Sequence, residues 1–353
     1  MKSPKYDILT FGSVTLDIFL LPEKADVHIE QTKDGDTFLF PVGAKIPVGE
    51  VLRAPGGGAA NTAVGFSKMG LSTALFGVLG DDEEAHLIQK KLKTLGIDTS
   101  NIVCQKDAHS SFSIILMAPD GRRTVFHSRQ ANVHFRPHSL RSAPLAKAVY
   151  VSHLYGDSQD LLFGIPHWKE KTGGLVAWNP GKTQFHAGFQ TFETVFPHVD
   201  LLIMNREEAE MFSGVQARKI SLTNQDSDDI AQKLGQKIPL SSEFRTAFLF
   251  DMRKIAQKFL QAGVKNVVIT DGNRGAQLFC SDGSHFRCAS PDVEVKSTLG
   301  AGDAFSVGII TALLHKEPSQ KQILWGTLNA GGVIQKFGAQ EGFLMLRDIK
   351  KAT

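Results

Sequence analysis

Hydrophobic positions along this chain follow two rhythms. Compact apolar runs occupy residues 6–14 (YDILTFGSV), 147–154 (KAVYVSHL), 173–179 (GGLVAWN) and 199–205 (VDLLIMN). Runs of that length without polar alternation predict strands buried on both faces. Between them lie stretches with helical spacing that end in glycine and lead into a further apolar run. GFSKMG (65–70) precedes STALFGVLG, IQKKLKTLG (88–96) precedes IDTSNIVC, and MRKIAQKFLQAG (252–263) precedes VKNVVIT. A glycine just past a helix accepts the left-handed cap conformation that other residues resist. Ala85, Ile88, Leu92 and Leu95 form the stripe expected of a covering helix. Helices alternating with buried strands predict an α/β fold with a mainly parallel central sheet covered on both faces.

Two stretches break that rhythm. Residues 27–53 carry strand and turn signals and no helical stripe, and residues 111–128 read as a hairpin turning at Pro119-Asp120-Gly121. Both suit a small β lid projecting from the main domain. A polar stretch, 216–245, reads as a surface insertion with some helix.

Residues 295–310, VKSTLGAGDAFSVGII, bring in candidate chemistry. Phe305, Ile309, Ala312 and Leu313 recur at i, i+4, i+7 and i+8, so a helix begins near Gly300. Its first N–H groups lack intrahelical partners and carry partial positive charge, and small residues there let an anion approach them. Asp303 directly behind them is either a helix-start acid or a base beside an anion site. GGGAAN (56–61) places glycines before another helix, with Asn61 able to donate and accept toward a hydroxyl or to cap the helix. Asp17 sits inside an apolar run, where a carboxylate needs a partner or a ligand. Asn205 ends one strand and Glu208 falls in the next first turn, where it can hold hydrated Mg²⁺ or close a capping pair. VVITDGNRGAQLF ends another strand in a glycine-containing turn, at the edge where α/β sheets bind ligands.

Composition narrows the field without choosing within it. The 353 residues are 42% apolar with a net charge of +3. That is enough to bury a full core, and too little charge to indicate a nucleic-acid or membrane partner. No run is long and apolar enough to span a bilayer, and the first residues show no secretory pattern. Cys104, Cys280 and Cys288 have no metal-ligand spacing. The chain reads as a soluble cytoplasmic protein forming one domain over 1–353. NPGKT (179–183) is no P-loop, because Val176 stands where that motif needs its first glycine. GGGAAN departs from the dinucleotide fingerprint at Asn61.

Taken in order, these motifs resemble the ribokinase-like (PfkB) carbohydrate and nucleoside kinases. STLGAGDAF is similar to their D-T-x-G-A-G-D signature, GGGAAN to G-G-x-x-x-N, NREE to N-x-x-E, and GSVTLD to the opening strand with its sugar-binding acid. The resemblance spans Asp17 to Asn329. It implies a three-layer α/β/α fold with a β lid, and ATP-dependent phosphorylation of a hydroxymethyl group on a sugar or nucleoside. In that frame Asp303 is the general base and Gly300, Ala301 and Gly302 form the anion hole. Asp17, Gly57, Gly58 and Asn61 hold substrate hydroxyls. Thr270, Gly272, Gly275 and Asn329 lie along the nucleotide, and Asn205 and Glu208 order Mg²⁺. Ser297 replaces the first Asp of the signature, which implies a weak or absent monovalent-cation site. Lids of this family either pair between subunits, giving a homodimer, or remain alone. The alternatives are a vitamin-type alcohol kinase of the same fold and a non-catalytic nucleotide- or sugar-binding regulator.

Overall fold

The computed structural model describes residues 4–22, 28–33, 35–118, 121–134, 140–220 and 249–353. The opening apolar run divides between two sheets. Strand β1 (Tyr6–Phe11) lies in a large central sheet, whereas β2 (Thr15–Pro22) leaves for a smaller one. The chain turns at Gly12, whose φ is +140°; a Cβ there would sit 2.1 Å from Ser152 Oγ, so only glycine fits. Strands β3 (His28–Thr32) and β4 (Gly35–Leu39) pair with each other, and β5 (Val48–Gly56) runs antiparallel to β2.

Helix α1 (Gly58–Lys68), β6 (Thr73–Gly80), α2 (Glu83–Thr94) and β7 (Ile102–Gln105) follow. The Asp82 side chain starts α2 by accepting the Ala85 N–H at 2.9 Å. Ala85, Ile88 and Leu92 of the expected stripe are buried, while Leu95 falls at the frayed end and is exposed. Strands β8 (Phe112–Met117) and β9 (Arg123–Ser128) form the expected hairpin; its turn residues Pro119 and Asp120 lie outside the described residues. Then come β10 (Ala146–Val151), α3 (Ile165–Thr172), β11 (Leu175–Trp178), α4 (Lys182–Ala187), β12 (Leu201–Asn205) and α5 (Arg206–Ser213). The polar stretch near 216–245 falls mostly outside the described residues. Its flanks, β13 (Arg218–Ile220) and β14 (Leu249–Asp251), pair as an antiparallel ribbon. Helix α6 (Arg253–Gln261), β15 (Asn266–Thr270), β16 (Ala276–Cys280), β17 (His285–Cys288), α7 (Ala301–Leu314), α8 (Ser319–Ile334) and α9 (Leu346–Ala352) complete the chain.

The central sheet has the order β17-β16-β15-β12-β11-β10-β1-β6-β7. Pairing is parallel from β15 through β7 and antiparallel at the β16–β17 edge. Both faces are buried. Along β10, Val149 and Val151 enter one apolar cluster with Trp168 and Trp178, while Ala148 and Tyr150 enter the other with Phe66, Phe305 and Trp325. A period of two with apolar residues on both sides is why such strands read as unbroken hydrophobic runs. The chain proceeds from β1 to its neighbour β6, but from β10 to its neighbour β11 on the opposite side. The carboxyl ends of β1 and β10 therefore open a crevice, the place where open α/β sheets bind ligands.

The smaller sheet has the order β5-β2-β8-β9 and covers that end. Phe19, Ile115 and Met117 form its inner face with Leu21, Ala54 and Leu299; Val51, Leu52, Val125 and Phe126 are exposed. Of the stretches 27–53 and 111–128, β5 and the β8–β9 hairpin contribute to this sheet together with β2, whereas β3 and β4 form a two-stranded sheet of their own.

Candidate active site

Two cavities meet at the start of α7. The smaller, about 210 Å³, opens at the β1–β10 crevice under the small sheet. Ser13, Thr15, Asp17, Gly57, Gly58, Asn61 and Asp303 line it. The larger, about 410 Å³, runs from the β15 end past Thr270, Gly272 and Gly275 to Ala301, Gly302 and the face of α8. Ala301 and Gly302 thus border one cavity and Asp303 the other.

Gly300 caps α7 with φ +78°, and a Cβ there would lie 2.7 Å from the Ala339 carbonyl oxygen. A residue with a side chain could not start the helix in this way. The third helical position carries Asp303, whose Oδ2 accepts a hydrogen bond from Asn61 Nδ2 at 2.8 Å. Asn61 Oδ1 in turn accepts from Gln340 Nε2 at 3.0 Å, and the same nitrogen donates to the Pro55 carbonyl at 2.6 Å. Burial raises the Asp303 pKa from 3.8 to about 6. Asn61 and the charge of His153 draw it back, while Asp17 and Glu208 push it upward.

Asp17 lies on β2 opposite Ala54 and Ser113. Burial raises its pKa as well; the hydroxyls of Thr15 and Ser113 oppose the rise, Thr15 Oγ1 donating at 2.9 Å. Gly56 makes room for it, since a Cβ on Gly56 would sit 2.0 Å from Asp17 Oδ2. Gly57, with φ +88°, passes so close to Ser13 that a Cβ would lie 2.5 Å from its carbonyl oxygen, and the Gly58 N–H donates to Ser13 Oγ at 3.1 Å.

The structure places several of the sequence-derived residues in further or different contacts. Asn329 is fully buried, donates to the Ala304 carbonyl at 2.6 Å and accepts from the Leu344 N–H at 2.9 Å. It clamps α8 to α7 and is not part of the cleft wall; Thr327, Ala330, Gly331 and Ile334 supply the cleft face of that helix. Both ends of the Asn61 amide are engaged with protein groups, so this residue orients Asp303 besides lining the cavity. Asn205 and Glu208 close a capping box on α5, each side chain accepting the other's backbone N–H at 2.9 Å. Among the described residues no cluster of three or more metal-ligating side chains occurs. Residues that the sequence reading did not single out also line the smaller cavity: His127, Arg129, His153, Tyr155 and Asn179. His153 and Asn179 carried a signal, lying two positions past the carboxyl end of β10 and one past that of β11. Among the described residues no helix is long and apolar enough to cross a membrane.

The pfkB family carbohydrate kinase model matches residues 26–242 and 249–344. The 5-dehydro-2-deoxygluconokinase of Bacillus licheniformis is 22% identical over 303 residues, covering 84% of this chain and 85% of that protein. The ribokinase of Staphylococcus aureus is 23% identical over 349 residues, covering 98% of each. The structure of Arabidopsis thaliana ribokinase complexed with ribose and ATP superposes with a TM-score of 0.74 at 19% identity, over 99% of both chains.

Proposed function

This chain belongs to the pfkB family of carbohydrate kinases and is a sugar kinase; from that premise we propose that it moves the γ-phosphoryl group of ATP to a hydroxymethyl group of a sugar held in the smaller cavity. The observation that carries this reading is the α7 start, with one cavity on each side of it. A volume of about 210 Å³ lies below the roughly 300–1,000 Å³ of drug-sized sites, which favours a single sugar over a nucleoside. The larger cleft then takes ATP, a ligand with which the Arabidopsis thaliana ribokinase is complexed. The small sheet over the crevice acts as the lid.

Phosphoryl transfer needs positioning and charge stabilisation more than covalent help. Asp17 binds hydroxyls and orients the sugar. Asp303, ionised at neutral pH and fixed by Asn61, takes the proton from the hydroxymethyl group. The freed oxygen forms a bond to the γ-phosphorus as the bond to the β–γ bridging oxygen breaks, and that oxygen leaves on ADP with the electron pair. The N–H groups of Gly300, Ala301 and Gly302 stabilise charge on the phosphoryl oxygens in flight. Glu208 keeps one carboxylate oxygen free of its cap and fits a hydrated Mg²⁺ bound mainly through phosphates, with Asn205 holding the carboxylate in place. When bound, that ion would neutralise charge on the phosphates.

An ADP-coupled assay over a panel of sugars and nucleosides tests the reading. Asp303→Asn is expected to lower kcat by roughly 10²–10⁴, as loss of a general base does, with ATP affinity by calorimetry unchanged. Wild-type kcat/KM should rise with pH through about 6 and level off above it. Near-normal turnover of Asp303→Asn would remove Asp303 from the reaction.

A further inference from the structure

The smaller cavity holds a cation that no acid among the described residues neutralises. The guanidinium carbon of Arg129 sits 4.3 Å from the centroid of the Tyr155 ring, and its Nε is buried without a hydrogen-bond partner. Among the described residues Arg129 forms no ion pair. The two carboxylates of the cavity are engaged elsewhere: Asp17 with Thr15 and Ser113, Asp303 with Asn61. His153 acts electrostatically on Asp303; Arg129 is not among the groups that do. Two other part-buried arginines do meet acids: Arg206 pairs with Asp271 and Glu210, and Arg274 with Asp271.

The backbone holds this side chain in place. The Arg129 carbonyl accepts both the Ser111 hydroxyl and the Asn132 N–H, and the Ala131 N–H donates to the His109 carbonyl at 3.1 Å. Asn132 ties the segment to Val14 through two bonds, at 2.9 and 3.3 Å. Between them Gln130 takes φ +28°, a conformation that costs energy in a residue with a side chain. A part-buried guanidinium fixed in this way is a fork matched to a carboxylate or phosphate. A neutral sugar would leave it unanswered.

Resting on the kinase reading above, we infer that the acceptor is an anionic sugar, a sugar acid or a sugar phosphate, whose acidic group is bound by Arg129 while its hydroxymethyl group faces Asp303. Arg129 is then the residue that sets substrate class. The test measures ADP release with D-gluconate and 2-keto-3-deoxy-D-gluconate, with D-fructose 6-phosphate, and with neutral D-ribose and D-fructose, in the wild type, Arg129→Met and Arg129→Lys. One acidic compound is expected to exceed both neutral sugars in kcat/KM. Arg129→Met should cut that preference by about 10- to 100-fold, mostly through KM, and Arg129→Lys should restore part of it. Which arm responds, carboxylate or phosphate, identifies the acidic group. Preference for neutral sugars in the wild type, or equal losses on every substrate in Arg129→Met, overturns the inference and leaves the kinase reading standing. No turnover of any compound overturns both.

Discussion

At the scale of single residues, Asp303 carries a cost that its role explains. Its pKa rises from 3.8 to about 6 because burial disfavours the charged form. Between about pH 4 and pH 6 the folded protein retains a proton that the unfolded chain has released. Stability therefore falls as pH rises through that window and stays lower above it. At 1.36 kcal/mol per pH unit the penalty is about 3 kcal/mol. Asp303→Asn keeps an acceptor for Asn61 and removes the buried charge. Denaturant melts should show the variant more stable by up to about 3 kcal/mol at pH 7.5, with the gain vanishing near pH 4; an equal gain at both pH values would count against the burial account. Ser297 supports a second expectation. It is fully buried, and its Oγ accepts the Leu299 N–H at 3.2 Å, so it offers no charge to a cation. Turnover should be the same in K⁺, Na⁺ or a bulky organic cation at equal ionic strength, with K⁺ activation appearing only in Ser297→Asp. The helix start itself was legible, because Asp303 and its glycines are neighbours in sequence. Their supports were not: Asn61 and Asp303 are 242 positions apart, and Gln340 joins Asn61 across 279. Local pattern carries no information on contacts of that range.

Elements were legible where burial was uniform and less so where the chain changes layers. An unbroken apolar run such as 6–14 cannot show that β1 ends at Phe11 and that Gly12 carries the chain toward another sheet. Strand β5 is exposed over most of its length because it lies at the edge of the small sheet. The hairpin of β8 and β9 was recognisable because its turn chemistry and strand lengths are local properties. Asn329 lies on α8 away from the cleft, because that helix is buried on more than one side. The junction of β5 and β2 gives a test at this scale. Gly56→Ala would place its Cβ within 2.0–2.5 Å of the Asp17 carboxyl oxygens and force that side chain aside. KM for the sugar should rise at least tenfold, as loss of a charged hydrogen bond of about 1.5–3 kcal/mol implies, with KM for ATP unchanged. The double variant Asp17→Ala/Gly56→Ala should be no worse than Asp17→Ala alone, because the Cβ then meets empty space. Additive losses would show that Gly56 matters for some other reason.

For the molecule as a whole, sheet order decides where chemistry can happen. The alternation of helices and strands announced a parallel sheet, but not that β1 and β10 would be neighbours with connections departing in opposite directions; strand order is a long-range property. That divergence makes the crevice, and α7 points its start into it from the far end of the chain. The start of α7 brings only the methyl group of Ala301 and the bare backbone of Gly302 to the wall between the two cavities. Neither offers a nucleophile, and in the proposed reaction Asp303 acts as the base, held by Asn61, and not as a phosphoryl carrier. On that proposal the group crosses in one displacement, and a single displacement turns the phosphorus centre inside out. With ATP made chiral at the γ-phosphorus by oxygen isotopes, the sugar phosphate should emerge with inverted configuration. Retention would mean that some side chain had carried the group across.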